Sequence, residues 1–240
     1  MNKFIGCSGY YYNEWKRIFY PEDIFKKNWL NFYCSQFNTL EVNSTFYNFP
    51  SLKKFQNWYK ITPEHYQLTI KAPRIITHYR KFNNVEELIL QFYDMTRQGL
   101  QEKLACILFQ LPPSYHYQPE RLDKIISLMD RSVRNILEFR HPSWWCNEVY
   151  EKLKTNDLYF CSISHPTLPS DLIDSGKNLY IRFHGVPLLY GSEYSEEEML
   201  QWAEKIKNCS SAENCYIYFN NTMNGHAISN AKNIRKDLGE

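Results

Sequence analysis

Residues Asn135–Trp145 read NILEFRHPSWW, and their first half alternates between apolar and polar side chains. Leu137 and Phe139 share one face of an extended chain. Glu138 and Arg140 share the other face. A period of two is the pattern of a β-strand. The segment therefore predicts a strand that packs its apolar face on helices and turns a carboxylate and a guanidinium to the opposite side.

Runs of similar length and character recur along the whole chain. Each is short, apolar or alternating, and bounded by turn residues, which is typical of strands in an α/β protein. The predicted strands are Phe4–Gly9, Thr39–Thr45, Gln67–Ala72, Cys106–Leu111, Asn135–Arg140, Tyr159–Ser164, Leu179–His184 and Cys215–Asn221.

Helical patterns separate these strands. The predicted helices are Pro21–Phe37, Ser51–Ile61, Val85–Lys103, Pro119–Asp130, Asn147–Asp157, Ser195–Asn208 and His226–Leu238, with one or two turns in Pro169–Gly176. Ser195 and Glu198 have the spacing of a capping box, Asn147 is a candidate cap, and Gly99 is a candidate early end. Strands alternating with helices predict a parallel sheet. In a chain of 240 residues, eight such units favour a single domain, residues 1–240, with a (β/α)8 TIM-type barrel fold.

Composition restricts the class of protein. A formal net charge of +2 argues against a generally basic nucleic-acid binder, although a local basic patch remains open. The seven cysteines show no CxxC spacing, and four fall in predicted strands, so we expect reduced, buried side chains. The N-terminus lacks a signal-peptide pattern, and no apolar run approaches membrane-spanning length. We therefore expect a cytoplasmic protein without a membrane partner, whose oligomeric state the sequence does not define.

Polar side chains collect on one face of the predicted strands, towards their carboxyl ends. The set comprises Gly6, Ser8, Glu41, Asn43, Thr69, Lys71, Gln110, Glu138, Arg140, Ser162, Ser164, Tyr180, Arg182, His184, Tyr216, Tyr218 and Asn220. The carboxyl ends of the strands are where active sites form in a barrel. Because buried unpaired charge is costly, the five charged residues must pair, be solvated or meet a ligand. Two interpretations follow, a ligand pocket or a structural charge network.

Seven ordered stretches resemble the YecE-like family, domain of unknown function 72. They are CSGYYYNEW (Cys7–Trp15), LEVNSTFYNFPS (Leu40–Ser51), KAPRIITH (Lys71–His78), LFQLPPSY (Leu108–Tyr115), EFRHPSWW (Glu138–Trp145), RFHG (Arg182–Gly185) and YFNNTMNGHAISNA (Tyr218–Ala231). The resemblance runs from about Cys7 to the last helix and implies a TIM-type barrel. It implies no reaction, since the family is uncharacterised. The short segment before the seventh strand departs from a regular barrel and leaves the sixth helix in doubt.

The pocket interpretation predicts a small anionic ligand, phosphorylated or nucleotide-like. Arg140, Arg182 and Lys71 would hold its charge, since guanidinium groups fork onto phosphate or carboxylate. Gly185 and Gly225 would let the ligand approach the backbone after the seventh and eighth strands. Further predicted ligand-binding residues are Asn43, Gln110, Asn220, Asn221, Tyr47 and His141. The alternative is that the asparagines of these loops only make turns.

If the protein is an enzyme, its candidate catalytic residues are Glu138, Glu41 and His184, as general base or orienting group and as proton shuttle. We expect a metal-independent hydrolase or lyase without a cofactor, because there is no metal-binding motif and three cations would repel a divalent ion. His78, His141, His165, His184 and His226 nevertheless lie near strand ends. A glycosidase, with Glu41 and Glu138 as the carboxylate pair, is a weaker alternative.

Aromatic residues in the loops after the strands support a different class of function. They are Tyr10, Tyr11, Tyr12, Trp15, Phe46, Tyr47, Phe49, Trp144, Trp145 and Tyr190. Aromatic planes beside Arg and Lys suit nucleic acid or a nucleotide. The alternatives are therefore a nucleic-acid-binding or nuclease-like module, and a non-catalytic barrel in which these rings only pack.

Overall fold

The structure, a computed structural model, describes residues 1–240. Its eight strands form one sheet in the order β1-β8-β7-β6-β5-β4-β3-β2. The strands are β1 (Asn2–Cys7), β2 (Thr39–Val42), β3 (Gln67–Lys71), β4 (Leu104–Gln110), β5 (Asn135–Glu138), β6 (Leu158–Ser164), β7 (Asn178–Phe183) and β8 (Asn214–Phe219). All eight predicted strands are present, with ends displaced by at most three residues.

At least one helix follows every strand except β6, as predicted for seven of the eight units. The helices are α1 (Trp29–Gln36), α2 (Ser44–Tyr47), α3 (Leu52–Ile61), α4 (Glu86–Leu100), α5 (Pro119–Leu128), α6 (Asn147–Lys154), α7 (Glu196–Lys207) and α8 (His226–Asp237). Strand order and alternation are those of a (β/α)8 TIM-type barrel, which confirms the predicted fold class. No helix combines the length and the apolar character needed to cross a membrane.

The chain forms two compact units. Unit 1 contains Met1–Glu41 and Ser162–Glu240, and unit 2 contains Val42–Cys161. In unit 1, β8 pairs in parallel with both β1 and β7. In unit 2, β4 pairs in parallel with β3 and β5. Within each unit the carboxyl ends of neighbouring parallel strands therefore meet at one edge, where site residues gather.

Several predicted boundaries are wrong for local reasons. Residues 21–25 are not helical, and α1 begins at Trp29 after a 3-10 turn, Lys26–Asn28. Residues 169–176 contain no helix, so β6 and β7 are joined by irregular chain. The strand predicted to run to Thr45 ends at Val42, because α2 begins at Ser44. Similarly, β5 ends at Glu138, so Arg140 lies beyond the strand.

Helix ends show which cap predictions hold. The capping box of Ser195 and Glu198 is present at the start of α7, as predicted. Asn147 is not a cap, since Cys146 occupies that position without a capping hydrogen bond. Gly99 does not end α4, which continues to Leu100. A Cβ at Gly99 would lie 2.3 Å from the Phe55 Cβ of α3. The glycine instead allows α3 and α4 to approach closely.

The seven cysteines are free, and Cys7, Cys106, Cys161 and Cys215 are buried, as predicted. Burial raises the pKa of the Cys7 and Cys215 thiols well above its ordinary value. These thiols therefore stay protonated at neutral pH and behave as small apolar side chains.

Candidate functional site

Unit 1 holds a buried ion pair between β2 and β7. Arg182 Nη2 lies 2.6 Å from Glu41 Oε1, and the Tyr180 hydroxyl donates to Glu41 Oε2 at 2.6 Å. Arg182 is 1% exposed and Glu41 is fully buried. Arg182 Nη2 also lies 3.4 Å from Ser8 Oγ. These contacts place the four side chains on the same face, as the alternation predicted, and they match the structural charge network.

His184 lies at the end of β7 in a second polar group of unit 1. The His184 ring is fully buried, and its Nδ1 lies 3.1 Å from Asn220 Nδ2. The Asn221 amide donates to Ser192 O and to Asn230 Oδ1, both at 2.9 Å. Asn221 thus ties the loop after β7 to α8. The protein's own groups account for these bonds.

The two loop glycines of unit 1 are tightly packed on the side where a Cβ would stand. A Cβ on Gly185, whose φ is +88°, would lie 2.8 Å from Leu188 O. A Cβ on Gly225, whose φ is +77°, would lie 2.8 Å from Ile18 Cγ2. Their left-handed backbone and tight packing explain why glycine stands there.

Unit 2 holds a cationic cluster, defined here as Lys71, Gln110, Glu138, Arg140 and His78. Glu138 is fully buried and forms an ion pair with Arg140 Nε, and the Arg140 side chain is 9% exposed. Lys71 is also 9% exposed, and its Nζ lies 4.2 Å from the centroid of the Phe46 ring. Two cations and one carboxylate therefore lie at the carboxyl ends of β3 and β5.

His78 is a neutral member of this cluster. It lies on a π-helical turn, Ile75–Tyr79, with its ring centroid 4.9 Å from that of Phe46. Its Nδ1 is 2.9 Å from Thr77 Oγ1, and its Nε2 is 3.5 Å from Gln110 Nε2. Burial, followed by the charges of Lys71 and Arg140, lowers the pKa of His78 to about 4. At neutral pH the ring is uncharged, and Nε2 can accept a hydrogen bond from the Gln110 amide while the Nδ1–H donates to Thr77 Oγ1.

Three further predicted ligand-binding residues belong to unit 2. Asn43 follows β2 and precedes α2. Tyr47 is on α2, 61% exposed, with Arg74 Cζ 5.7 Å from its ring centroid. His141 stacks on His116 at 3.8 Å between centroids and hydrogen-bonds to Ser143.

The tryptophan loop after β5 packs into the core. Trp144 is fully buried and stacks on Phe139 at 4.1 Å, and its Nε1 donates to Tyr115 O at 2.6 Å. In unit 1, Trp15 is also fully buried, with its Nε1 donating to Thr222 O at 2.8 Å. The prediction of a rim built from these rings is therefore wrong for both. Each is fixed by packing and one backbone hydrogen bond.

Sequence reasoning missed some residues around the cationic cluster. From the sequence, His78 was noted only as one of five histidines near strand ends, and Phe46 only as one of the loop aromatic residues. Arg74 lies within the KAPRIITH stretch and Tyr79 directly follows it, but neither was predicted as a site residue. Arg74 Cζ lies 5.2 Å from the centroid of the Tyr79 ring. No group of three or more His, Cys, Asp or Glu side chains is placed to hold a metal ion.

Comparisons with known proteins all point to one family. The model of "Protein of unknown function DUF72" matches residues 4–240. The UPF0759 protein YunF of Bacillus subtilis is 25% identical, over 96% of this chain and 93% of that protein. The UPF0759 protein YecE of Escherichia coli is 23% identical, over 58% of this chain and 51% of that protein.

Solved structures agree with this result. A DUF72 family protein of Thermotoga maritima has a TM-score of 0.89 and 27% identity, with 100% of both chains covered. A DUF72 family protein of Enterococcus faecalis has a TM-score of 0.83 at 19% identity, over 99% of this chain and 96% of that chain, and shows the fold alone. The family model covers nearly the whole chain, and we conclude that the chain belongs to the DUF72 family of proteins of unknown function.

Proposed function

We propose that the cationic cluster of unit 2 binds a small anionic ligand that bears a phosphate or a carboxylate. The observation that carries this proposal is the composition of the cluster at the strand ends. Lys71 and Arg140, both about nine-tenths buried, lie there with one carboxylate, Glu138. His78 adds no positive charge at neutral pH, because its pKa is about 4. An anion could interact with both cations there, in a partly dry environment where charge interactions are strong.

Each member of the cluster has a role in this proposal. Arg140 would present its planar guanidinium to two ligand oxygens, and Lys71 would supply a compact charge. Glu138 would orient Arg140 through the ion pair at Nε. The uncharged ring of His78 would hold the Gln110 amide beside the ligand without adding a charge of its own. Any turnover would use Glu138 as the base, which makes it the residue to test for activity.

A nucleotide or nucleic acid is the second candidate ligand, favoured by one feature of unit 2. Arg74 lies against the rings of Tyr47 and Tyr79, which are 61% and 64% exposed. Phe46 joins this group to the cluster, since its centroid is 5.3 Å from that of Tyr47. Exposed rings beside an arginine suit the stacking of a base.

Calorimetric titration with inorganic phosphate tests the anion proposal. We expect Lys71→Gln and Arg140→Gln each to weaken binding by roughly tenfold or more, the value of one charge-assisted hydrogen bond. Lys60→Gln, which removes an exposed charge from α3, should bind like the native protein. Arg140→Gln also removes the ion pair of the buried Glu138, which could destabilise the fold. Glu138→Gln/Arg140→Gln leaves no unpaired carboxylate and is therefore the control for loss of folding. Equal affinity in all variants would exclude the cluster as the site.

The salt dependence of oligonucleotide binding separates the second candidate. A strand that contacts several phosphates releases counterions, so its affinity falls steeply as salt rises. We expect Tyr47→Ala and Tyr79→Ala to weaken oligonucleotide binding and to leave phosphate binding unchanged. An affinity for oligonucleotides that does not depend on salt, or that cannot be detected, would remove this candidate.

A further inference from the structure

A second group of cations in unit 2 lines a pocket between the loop after His78 and the start of α5. The pocket has a volume of about 240 Å³. Its lining residues are Lys81, Asn83, Ser114, Tyr115, Glu120, Arg121 and Lys124. Sites for drug-sized ligands are larger, at roughly 300–1,000 Å³. The pocket therefore suits a small group rather than a whole large ligand.

Each of the three cations hydrogen-bonds to a neutral partner. Lys81 Nζ lies 3.2 Å from Ser114 Oγ, and Lys124 Nζ lies 2.8 Å from Asn83 Oδ1. Arg121 Nη1 donates to the backbone carbonyl of His116 at 2.8 Å. Neutral acceptors fix the position of a cation but do not cancel its charge. With Glu120 as the one carboxylate in the lining, the pocket has an excess of two positive charges.

The loop that carries Lys81 is held in an unusual backbone conformation. Lys81, Phe82 and Asn84 have φ values of 46°, 63° and 52°, in the left-handed region. For residues other than glycine such conformations are strained, and they are frequent at ligand sites. Phe82 anchors the loop, because its ring is fully buried and its N–H donates to Ile76 O at 3.0 Å. The anchored loop directs Lys81 and Asn83 into the pocket.

An aromatic ring holds the opposite side of the pocket. Tyr115 is 5% exposed and stacks on the buried Trp144, with 5.8 Å between centroids. Arg121 Cζ lies 4.8 Å from the Tyr115 centroid. Contact with an aromatic face keeps a guanidinium in place without neutralising it. Lys81 is also among the charges that lower the pKa of His78, so its field reaches the cationic cluster.

We propose that this pocket is a second anion site, one that takes the phosphate group of a phosphate monoester. Such a group carries close to two negative charges and three acceptor oxygens, which match the charge excess and the donors of Lys81, Arg121 and Lys124. The Ser114 hydroxyl and the Asn83 amide add neutral hydrogen bonds. The site is separate from Lys71 and Arg140, and it stands whether or not the cationic cluster binds a ligand.

Calorimetry with inorganic phosphate and with glycerol phosphate tests the proposal on the full chain. We expect Lys81→Gln/Lys124→Gln to lose one phosphate per chain, or to bind it at least a hundredfold more weakly, at roughly tenfold for each charged hydrogen bond. Lys81→Arg/Lys124→Arg keeps both charges and should keep the binding. Lys60→Gln should change nothing, and free glycerol should not bind.

Crossing these variants with Lys71→Gln separates the two proposals. Loss of one phosphate in Lys81→Gln/Lys124→Gln, with Lys71→Gln unchanged, supports the second site and contradicts the cationic cluster as a site. The reverse result supports the cluster and overturns the second site. Loss of a different phosphate in each variant supports both. Unaltered stoichiometry and affinity in Lys81→Gln/Lys124→Gln overturn the present proposal.

Discussion

Arg182 and Glu41 form a buried ion pair that can stabilise the fold without a ligand. Both side chains are almost completely buried, and Tyr180 donates to the second carboxylate oxygen. Desolvating two charges is expensive, and good geometry with additional hydrogen bonds offsets that cost. Removing one partner leaves the other charge buried without its ion pair.

We therefore expect Arg182→Met to lower the free energy of unfolding by roughly 3–5 kcal/mol. Glu41→Gln/Arg182→Met should cost less than the single change, because it removes both buried charges of the pair. Arg17→Ala, which breaks an exposed pair with Glu22, should cost at most about 1 kcal/mol. Urea denaturation measures all three. An unchanged midpoint for Arg182→Met would show that the pair contributes little.

His78 offers a second prediction at the residue scale. Its pKa is about 4 in the folded protein, against roughly 6.5 in an unfolded chain. Between these values the unfolded state binds more protons, so stability is full above about pH 6.5 and declines as pH falls towards 4. NMR titration should give the low pKa directly, and Lys71→Gln should raise it. His78→Gln should flatten the decline of stability in this window. A native pKa near 6.5 would contradict the electrostatic description of the cluster.

At the scale of elements, close packing of α3 against α4 reverses a common expectation for glycine. In an exposed helix interior, Gly→Ala stabilises by roughly 1 kcal/mol. At Gly99 the added Cβ would lie 2.3 Å from the Phe55 Cβ, which is attached directly to the backbone of α3. One of the two helices must move to admit it.

We predict that Gly99→Ala destabilises the protein by roughly 1–3 kcal/mol, the usual cost of overpacking. Leu90→Ala lies on the same helix at a position that is 60% exposed, and it should have a much smaller effect. Urea denaturation of both variants provides the comparison. Stabilisation by Gly99→Ala would mean that α3 and α4 separate easily.

For the molecule as a whole, binding of phosphate should raise the free energy of unfolding. A ligand at a hundred times its dissociation constant adds about 2.7 kcal/mol for each site. For a domain of this size, each kcal/mol raises the Tm by roughly 2–4 °C. Differential scanning calorimetry in phosphate, against chloride of equal ionic strength, should show this rise. The rise should shrink in Lys71→Gln and again when Lys81→Gln/Lys124→Gln is added. Equal Tm values in both buffers would argue against both sites.

The fold could be predicted from the sequence because each of the eight strand segments is a short apolar or alternating run. The same alternation placed Glu41, Tyr180 and Arg182 on one face, where the structure has them in contact. It was uninformative beyond the strand ends. Phe46 and His78 reach Lys71 from α2 and from a π-helical turn, and neither element has a period of two. Likewise, loop position suggested exposure for Trp144, whereas stacking on Phe139 buries it.

The irregular connection between β6 and β7 is a site where the chain can accept an inserted peptide or new chain ends. Ser170 and Asp171 are exposed within residues 169–176, which form no helix. Exposed irregular segments accept inserted peptides and new chain ends far better than regular elements do. A tag inserted after Ser170, or a circular permutant opened there, would leave every strand and helix of the protein uninterrupted. This connection is thus the natural point at which to attach the protein to a surface or a reporter.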